Sequence, residues 1–289
     1  MILLTGATGN VGAALLRRLT DAGQDVRCLV RDPNRLGAQR VRVQIALGDL
    51  ADPSSFRNAL RGVDTVVHLA ASVRDQKRGS IEELNGVATL RLVRAAERLG
   101  TRRFVFFSAM GATLHSRTRF MRAKALARDA VEESDLETTV FDPSIVYSPG
   151  DPFLTLLERL SWLPAVPIPG SGRAHCQPIW AEDVAGCVMA SLNGAAAGEF
   201  ELAGPQILTY DDMVRTVVRA RGRRRRVLHV PLPVTRALLR SVERFAGESA
   251  FATWEEAELL EVDLVSERGT ADAERLGVKP RPIRDVLGH

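Results

Sequence analysis

Glycines 6, 9 and 12 fall within Thr5-Gly6-Ala7-Thr8-Gly9-Asn10-Val11-Gly12, and their type and spacing suit one task above others, the cradling of a phosphate. Glycine lets a backbone turn tightly and brings its N–H groups close to an anion with no Cβ in the way. A helix that starts at such a turn adds unpaired N–H groups and the positive end of its dipole. The spacing G-x-x-G-x-x-G differs from the commonest dinucleotide fingerprint, G-x-G-x-x-G. Taken alone, it fits better a helix that needs glycines only to pack against a sheet.

The flanking elements decide between these readings. Met1 to Leu4 reads as a short buried strand, and Ala13 to Leu19 has helical spacing and good helix formers, so the glycines lie between a strand and a helix. Asp25 to Val30 alternates as a second strand, Val41 to Leu47 supplies a third, and Val63 to Ala71 a fourth strand with its turn. Leu84 to Ala96 carries an apolar helical stripe, and Arg103 to Ser108 is a continuous apolar run typical of a central parallel strand. This alternation predicts an α/β fold, a Rossmann doubly wound parallel sheet, with ligands bound beyond the carboxyl ends of its strands. Arg31 then stands at the end of the second strand, with Arg35 four residues on. A guanidinium there suits the 2′-phosphate of NADP, whereas a carboxylate would suit the 2′-hydroxyl of NAD. Asp32 comes one residue late for that role, and NADP(H) is therefore favoured over NAD(H).

Composition excludes several other classes. With 289 residues, 45% hydrophobic and 26% charged, the chain has room for a large core and the balance of an ordinary globular protein. The net charge of +4 comes from 39 basic and 35 acidic residues interspersed along most of the sequence, which is no footprint for nucleic acid. The exception, Arg221 with Arg223 to Arg226, reads as a solvated turn before a strand. Three cysteines without C-x-x-C spacing argue against a disulfide framework or a metal site, and no apolar run reaches the roughly 18 to 20 residues of a membrane span. A cytoplasmic location is the expectation. Val234, Leu238, Leu239, Val242 and Phe245 recur at helical spacing between arginines. That amphipathic helix is expected to cover a C-terminal domain, with a membrane surface as the alternative.

Thr5 to Gly12 resembles the cofactor loop of the extended and atypical short-chain dehydrogenase/reductase superfamily. Later segments are most similar to its branch related to the NDUFA-nine-type accessory subunit of respiratory complex I, and the match covers most of the chain. Gly48-Asp49-Leu50 resembles a G-D-L turn that lies against the adenine, which implies Asp49 as acceptor for the amino group and Leu50 beside it. A helix cap before Pro53 is the competing role for Asp49. His68-Leu69-Ala70-Ala71 resembles H-L-A-A, implying that Leu69, Ala70 and Ala71 run under the cofactor ribose, with His68 a packed strand residue. Pro143-Ser144-Ile145-Val146-Tyr147 resembles P-S-I-V-Y, which implies that Pro143 and Ile145 pass the nicotinamide end; Asp142 and Ser148 replace the usual arginine and glycine. Gln177 to Ala185 is similar to a returning Q-P-I-x-V-x-D-V-A segment, with Asp183 expected to be a structural helix cap. The resemblance implies an NADP(H)-binding Rossmann domain over residues 1–145 with 178–204 returning to it, and a smaller, mostly helical substrate domain over 146–177 and 205–289.

Hydride-transferring members of the superfamily use a tyrosine with a lysine four residues later; the ammonium holds the nicotinamide ribose and lowers the phenol pKa. The matching positions here are Phe120 and Lys124, and the usual serine aligns with Ala109, just past Ser108. Lys124 is one of only three lysines, with Lys77 and Lys279, among 39 basic residues. The resemblance thus implies a retained cofactor site that includes Ser108 and Lys124, and a lost acid–base pair. Three functions follow: an NADP(H)-dependent oxidoreductase whose proton comes from Tyr147, His115 or water; a non-catalytic NADP(H)-binding sensor or respiratory-complex-type subunit; or, against the missing tyrosine, a nucleotide-sugar epimerase or dehydratase. The expected partners are a small-molecule substrate or quinone-like acceptor, with no nucleic acid, no metal, and peripheral membrane contact as an option.

Overall fold

The computed structural model describes residues 1–194, 197–247 and 252–288. Its first half runs β1 (Ile2–Thr5), α1 (Asn10–Asp21), β2 (Val26–Val30), β3 (Gln44–Leu47), α2 (Pro53–Arg57), β4 (Thr65–His68), α3 (Ala88–Arg98), β5 (Arg103–Phe107), α4 (Arg119–Glu132) and β6 (Glu137–Pro143). The second half continues with β7 (Val146–Tyr147), α5 (Pro152–Leu160), β8 (Ala165–Pro169), β9 (His175–Cys176), β10 (Ile179–Trp180), α6 (Ala181–Gly194) and β11 (Gly198–Leu202). It closes with β12 (Leu208–Thr209), α7 (Tyr210–Ala220), β13 (Arg226–Val230), α8 (Leu232–Ala246), α9 (Trp254–Leu259), α10 (Ala271–Arg275) and α11 (Ile283–Leu287).

Seven of these strands form one parallel sheet in the order β11-β6-β5-β4-β1-β2-β3. The chain moves outward from β1 through β2 to β3, then crosses back to β4 on the other side of β1, so the strand order reverses between β1 and β4. That reversal leaves a crevice at the carboxyl ends of the strands, where Rossmann folds bind ligands. The register sets Thr5 beside both Leu29 and His68, which aligns the loops that follow the three central strands.

Alternate residues of each strand feed two cores. Leu4, Cys28, Val67, Val105, Phe107, Phe141 and Phe200 pack against α1 and α6, while Leu3, Leu29, Val66, Phe104, Phe106 and Val140 pack against α2, α3 and α4. On the first face Phe107, Phe141 and Phe200 form a run across β5, β6 and β11, with ring centroids 5.3 and 5.6 Å apart. Complete burial of each such ring contributes about 1.5 to 3 kcal/mol. A third core, with Tyr147, Leu154, Leu157, Val166, Tyr210 and Met213 at its centre, holds the small pairs β7–β10, β9–β12 and β8–β13 together with α5, α7 and α11.

The structure corrects several boundaries. Strand three begins at Gln44 rather than Val41, because Pro33 to Val41 winds as 3-10 turns whose N-terminus is capped by the Asp32 side chain. The C-terminal segment is not wholly apart from the sheet: Ala273 on α10 is buried in the α1–α6 core, and Asp272 accepts from the backbone N–H of Glu201 on β11 at 3.0 Å. Asp183 lies inside the first turn of α6 instead of capping it; its Oδ2 accepts the backbone N–H of Arg281 at 2.8 Å and tethers the returning chain. No helix among the described residues is long and apolar enough to cross a membrane.

Candidate cofactor and active site

The glycine turn is built by steric necessity at two of its three glycines. Gly6 has φ +73°, and a Cβ on it would stand 2.6 Å from the backbone nitrogen of Ala70. The turn after β1 is thus pressed against the turn after β4. A Cβ on Gly12 would stand 2.0 Å from the Gly6 carbonyl oxygen, so the first turn of α1 packs directly on that same turn. Gly9 differs, since its Cβ would meet nothing closer than 3.4 Å; the fold alone does not demand a glycine there. It is the N-cap of α1, and the helix has no side-chain cap and no acidic residue in its first turn. The first N–H groups and the positive dipole end are left for an anion.

A cleft of about 490 Å³ opens at this turn, within the range of small-molecule sites. Gly6, Ala7, Thr8 and Gly9 line it after β1, Arg31 and Arg35 after β2, Asp49 and Leu50 after β3, and Leu69, Ala70 and Ala71 after β4. Asn10, Val11 and Gly12 stand behind that wall in α1, and Ser108, Lys124, Pro143 and Ile145 are placed further along the strand ends, outside the lining. Asp32 and Asp49 also line the cleft, each with backbone bonds of its own. Asp32 Oδ1 accepts from the Asn34 N–H at 2.9 Å. Asp49 Oδ1 accepts from the Ala51 N–H at 3.0 Å, its Oδ2 lies 3.3 Å from Arg78, and the cap of α2 is Asp52.

One wall escaped the sequence reading. The loop after β4 folds back so that Gln76 pairs with Gly79, and Gln76 Oε1 accepts from Arg31 Nη1 at 2.8 Å. With Ser72 and Leu84 it closes the side of the cleft facing Arg31. Nothing in the spacing of Ser72-Val73-Arg74-Asp75-Gln76-Lys77-Arg78 marks such a return, because no apolar period accompanies it.

At the far end, β5 and α4 meet. Ser108 donates its backbone N–H to the Phe141 carbonyl at 2.9 Å, while its hydroxyl is buried with no partner in the protein. Lys124 is only 3% exposed. Its Nζ donates to the Phe107 carbonyl at 2.5 Å and lies 5.0 and 5.8 Å from the ring centres of Phe106 and Phe120. Burial pulls its pKa down to about 7, against a smaller upward pull from Asp142. One turn on, Arg128 pairs with Asp142 at 2.9 Å. Burial pushes the Asp142 carboxyl up to about 6, although Arg128 opposes the shift. His68 bonds Thr5 Oγ1 at 2.7 Å and Thr89 Oγ1 at 2.9 Å; burial, then the Lys124 charge, pulls its pKa down to about 3. It is a neutral, satisfied strand residue.

Two side chains considered as proton donors are placed very differently. Tyr147 is fully buried in the third core, where burial raises its pKa, and its hydroxyl has no partner there. His115 is exposed on the loop between β5 and α4. Among the described residues no cluster of histidine, cysteine and carboxylate side chains is arranged to hold a metal.

Comparison with known proteins fits this geometry. Residues 6–155, just over half of the chain, match the NAD(P)H-binding family model. Sterol demethylase protein B of Methylococcus capsulatus is 34% identical over 52% of this chain and 52% of its own length. The mitochondrial NADH dehydrogenase [ubiquinone] 1 alpha subcomplex subunit 9 of Arabidopsis thaliana is 27% identical over 81% of this chain and 61% of its own. Ceramide reductase of Caulobacter vibrioides is 26% identical, with coverage of 81% and 74%. The chain therefore spans little more than half the length of the first two relatives. A solved nucleoside-diphosphate-sugar epimerase from Staphylococcus aureus superposes with a TM-score of 0.78 at 19% identity, over 100% of this chain and 99% of that one, and shares its fold. The glycine turn, the seven-stranded parallel sheet and the match over residues 6–155 together make the chain a member of the NAD(P)H-binding family.

Proposed function

We propose that this chain is an NADP(H)-dependent oxidoreductase that acts without the superfamily's usual tyrosine and serine. The observation that carries the reading is the adenosine end of the cleft, where two guanidinium groups, Arg31 and Arg35, line the wall beside the single carboxylate of Asp32, whose Oδ1 accepts from the Asn34 N–H. Gln76 orients the Arg31 guanidinium from the side. The residues present fit the cofactor: an uncapped helix start and an unencumbered Gly9 for the pyrophosphate, and two guanidinium groups for the 2′-phosphate. When bound, the reduced nicotinamide supplies a hydride to the substrate. The chain's own part is to hold and orient: Lys124 grips the nicotinamide ribose, and Ser108, Pro143 and Ile145 border that end. Phe120 cannot give a proton. With the Tyr147 hydroxyl closed into the third core, His115 and water remain as donors.

Arg31→Ala tests the cofactor choice. Loss of a charged hydrogen-bond partner is worth roughly 1.5 to 3 kcal/mol, about ten- to a hundredfold in affinity. Calorimetry is expected to show that loss for NADPH and little change for NADH; equal losses would overturn the preference for NADP(H).

The second reading, a subunit that binds NADP(H) without turnover, draws on Phe120 and Ala109 together with the complex I relative. Phe120→Tyr separates the two. Phe120 is half-buried with its ring beside Lys124, so a phenol at that place restores the missing acid, and NADPH oxidation with a panel of carbonyl, quinone and imine acceptors is expected to appear or rise. NADPH binding with no gain on any acceptor would favour the non-catalytic subunit.

A further inference from the structure

Residues 221–247 hold eight arginines against one glutamate, an excess larger than the +4 of the whole chain. The structure gathers them beside a line of exposed apolar side chains. On α8, Thr235 and Leu239 are buried against the protein, and Val242 is half-buried on the same side. Val234, Leu238 and Phe245, spaced four and seven residues apart, form a separate stripe that faces outward, with Phe245 90% exposed. Arg236, Arg240 and Arg244 repeat every four residues on another exposed face. The strand leading into α8 exposes Leu228, and the loop beside its first residue exposes Trp162, 74% accessible, with the Arg223 guanidinium stacked 3.6 Å from its ring. Among the described residues, no carboxylate pairs with Arg224, Arg226, Arg240 or Arg244.

We propose that α8, with β13 and the Trp162 loop, docks this protein onto an anionic lipid surface. The helix is amphipathic twice over, with one stripe holding it to the protein and a second stripe of apolar residues and arginines for an interface where acyl chains meet charged headgroups. A second copy of the chain would bring its own eight arginines to the contact, and like charges so placed oppose association. A nucleic acid would satisfy the arginines but would leave Leu238 and Phe245 in water. Only a surface both anionic and apolar answers both sets. This contact is separate from the cofactor chemistry, because it uses no residue that lines the cleft.

Co-sedimentation of the full chain with vesicles tests it. Binding to vesicles of phosphatidylcholine with about 30% phosphatidylglycerol is expected to exceed binding to pure phosphatidylcholine by about tenfold or more, and to fall with salt. The double variant Leu238→Ser/Phe245→Ser and the charge variant Arg240→Glu/Arg244→Glu should each lose about tenfold or more of that binding. Both change exposed side chains, so melting temperature and NADPH affinity should hold, and these readouts guard against misfolding. Absence of binding to the anionic vesicles, equal binding to both compositions, or wild-type binding by both variants would overturn the proposal. A concentration-dependent dimer in sedimentation velocity that Leu238→Ser/Phe245→Ser dissolves, without vesicle binding, would assign the face to a second copy instead.

Discussion

Lys124→Met is expected to raise the stability of the cofactor-free protein at pH 6 and to flatten its dependence on pH between 7 and 10. The ammonium is 3% exposed, and burial lowers its pKa from 10.5 to about 7. Between those values the unfolded chain binds a proton at this site that the folded chain does not, so stability rises with pH across the window. Below pH 7 both states are protonated and the whole penalty stands, of order 5 kcal/mol for a shift of this size. Methionine removes that penalty and fills similar space, while the Phe107 carbonyl loses its 2.5 Å bond, at a cost of about 1 to 3 kcal/mol. The net expectation is a gain of roughly 2 to 4 kcal/mol at pH 6 that vanishes or reverses near pH 10. Asp142, raised to about 6, acts in a lower window of the opposite sign: the folded chain holds its proton longer, so stability falls as pH rises from 3.8 to 6. Urea titrations at a series of pH values read both windows. Under the proposed function the same variant should lose about tenfold or more in NADPH affinity. Stability and affinity thus move in opposite directions, which a general folding defect cannot imitate. A stability curve parallel to that of the unmodified chain would remove Lys124 as a buried cation.

What could be read from the sequence follows from where local signals exist. The glycine turn, the alternating strands and the place of Arg31 were legible because their signals are local: glycine spacing between a strand and a helix, an alternation of period two, a position at a strand end. The clash of Gly6 with Ala70 that the structure adds is not local. Lys124 was legible through its distance from Phe120 and the scarcity of lysine. Its burial was not, because the rings that enclose it come from β5 as well as α4. The same limit hid Gln76, which reaches Arg31 across 45 positions. Tyr147 shows the converse: its motif placed it near the nicotinamide, yet pairing of β7 with β10 turns its side chain into the third core.

The C-terminal third was the least legible region. The period of α8 announced an amphipathic helix, and one stripe does pack inward, but the sequence could not say that Val234, Leu238 and Phe245 would be left outside. Nor did it mark α10 as part of the sheet's core. That placement depends on Asp272, which is buried, paired with Arg268 and Arg275 at 3.0 Å each, and bonded to the backbone of β11. Such a contact is tertiary and leaves no period in the sequence.

Gly12→Ala and Gly9→Ala, three residues apart, are expected to fail in different ways. At Gly12 the new methyl would stand 2.0 Å from the Gly6 carbonyl oxygen, 2.8 Å from its carbon and 2.9 Å from Ala7 Cα. All three are backbone atoms, so no side chain can turn aside, and α1 must move off the turn that carries β1 into the cleft. The displaced helix buries Leu15, Leu16 and Leu19, and a loss of about 4 kcal/mol or more is expected, a large share of the 5 to 15 kcal/mol by which a domain is stable. At Gly9 the nearest atom would be 3.4 Å away, and φ −83° with ψ 174° is backbone that alanine adopts freely. The reduced freedom of the unfolded chain favours alanine there by about 0.4 to 1 kcal/mol, which offsets the slightly poorer N-cap. Thermal melts of the cofactor-free proteins should therefore drop steeply for Gly12→Ala and hardly move for Gly9→Ala. Fluorescence titration with NADPH should then show the reverse importance of Gly9, because its methyl would occupy the cleft wall where the uncapped N–H groups of α1 await the pyrophosphate; a loss of about tenfold or more is expected. If Gly9→Ala bound NADPH as the unmodified chain does, the pyrophosphate could not lie on this turn.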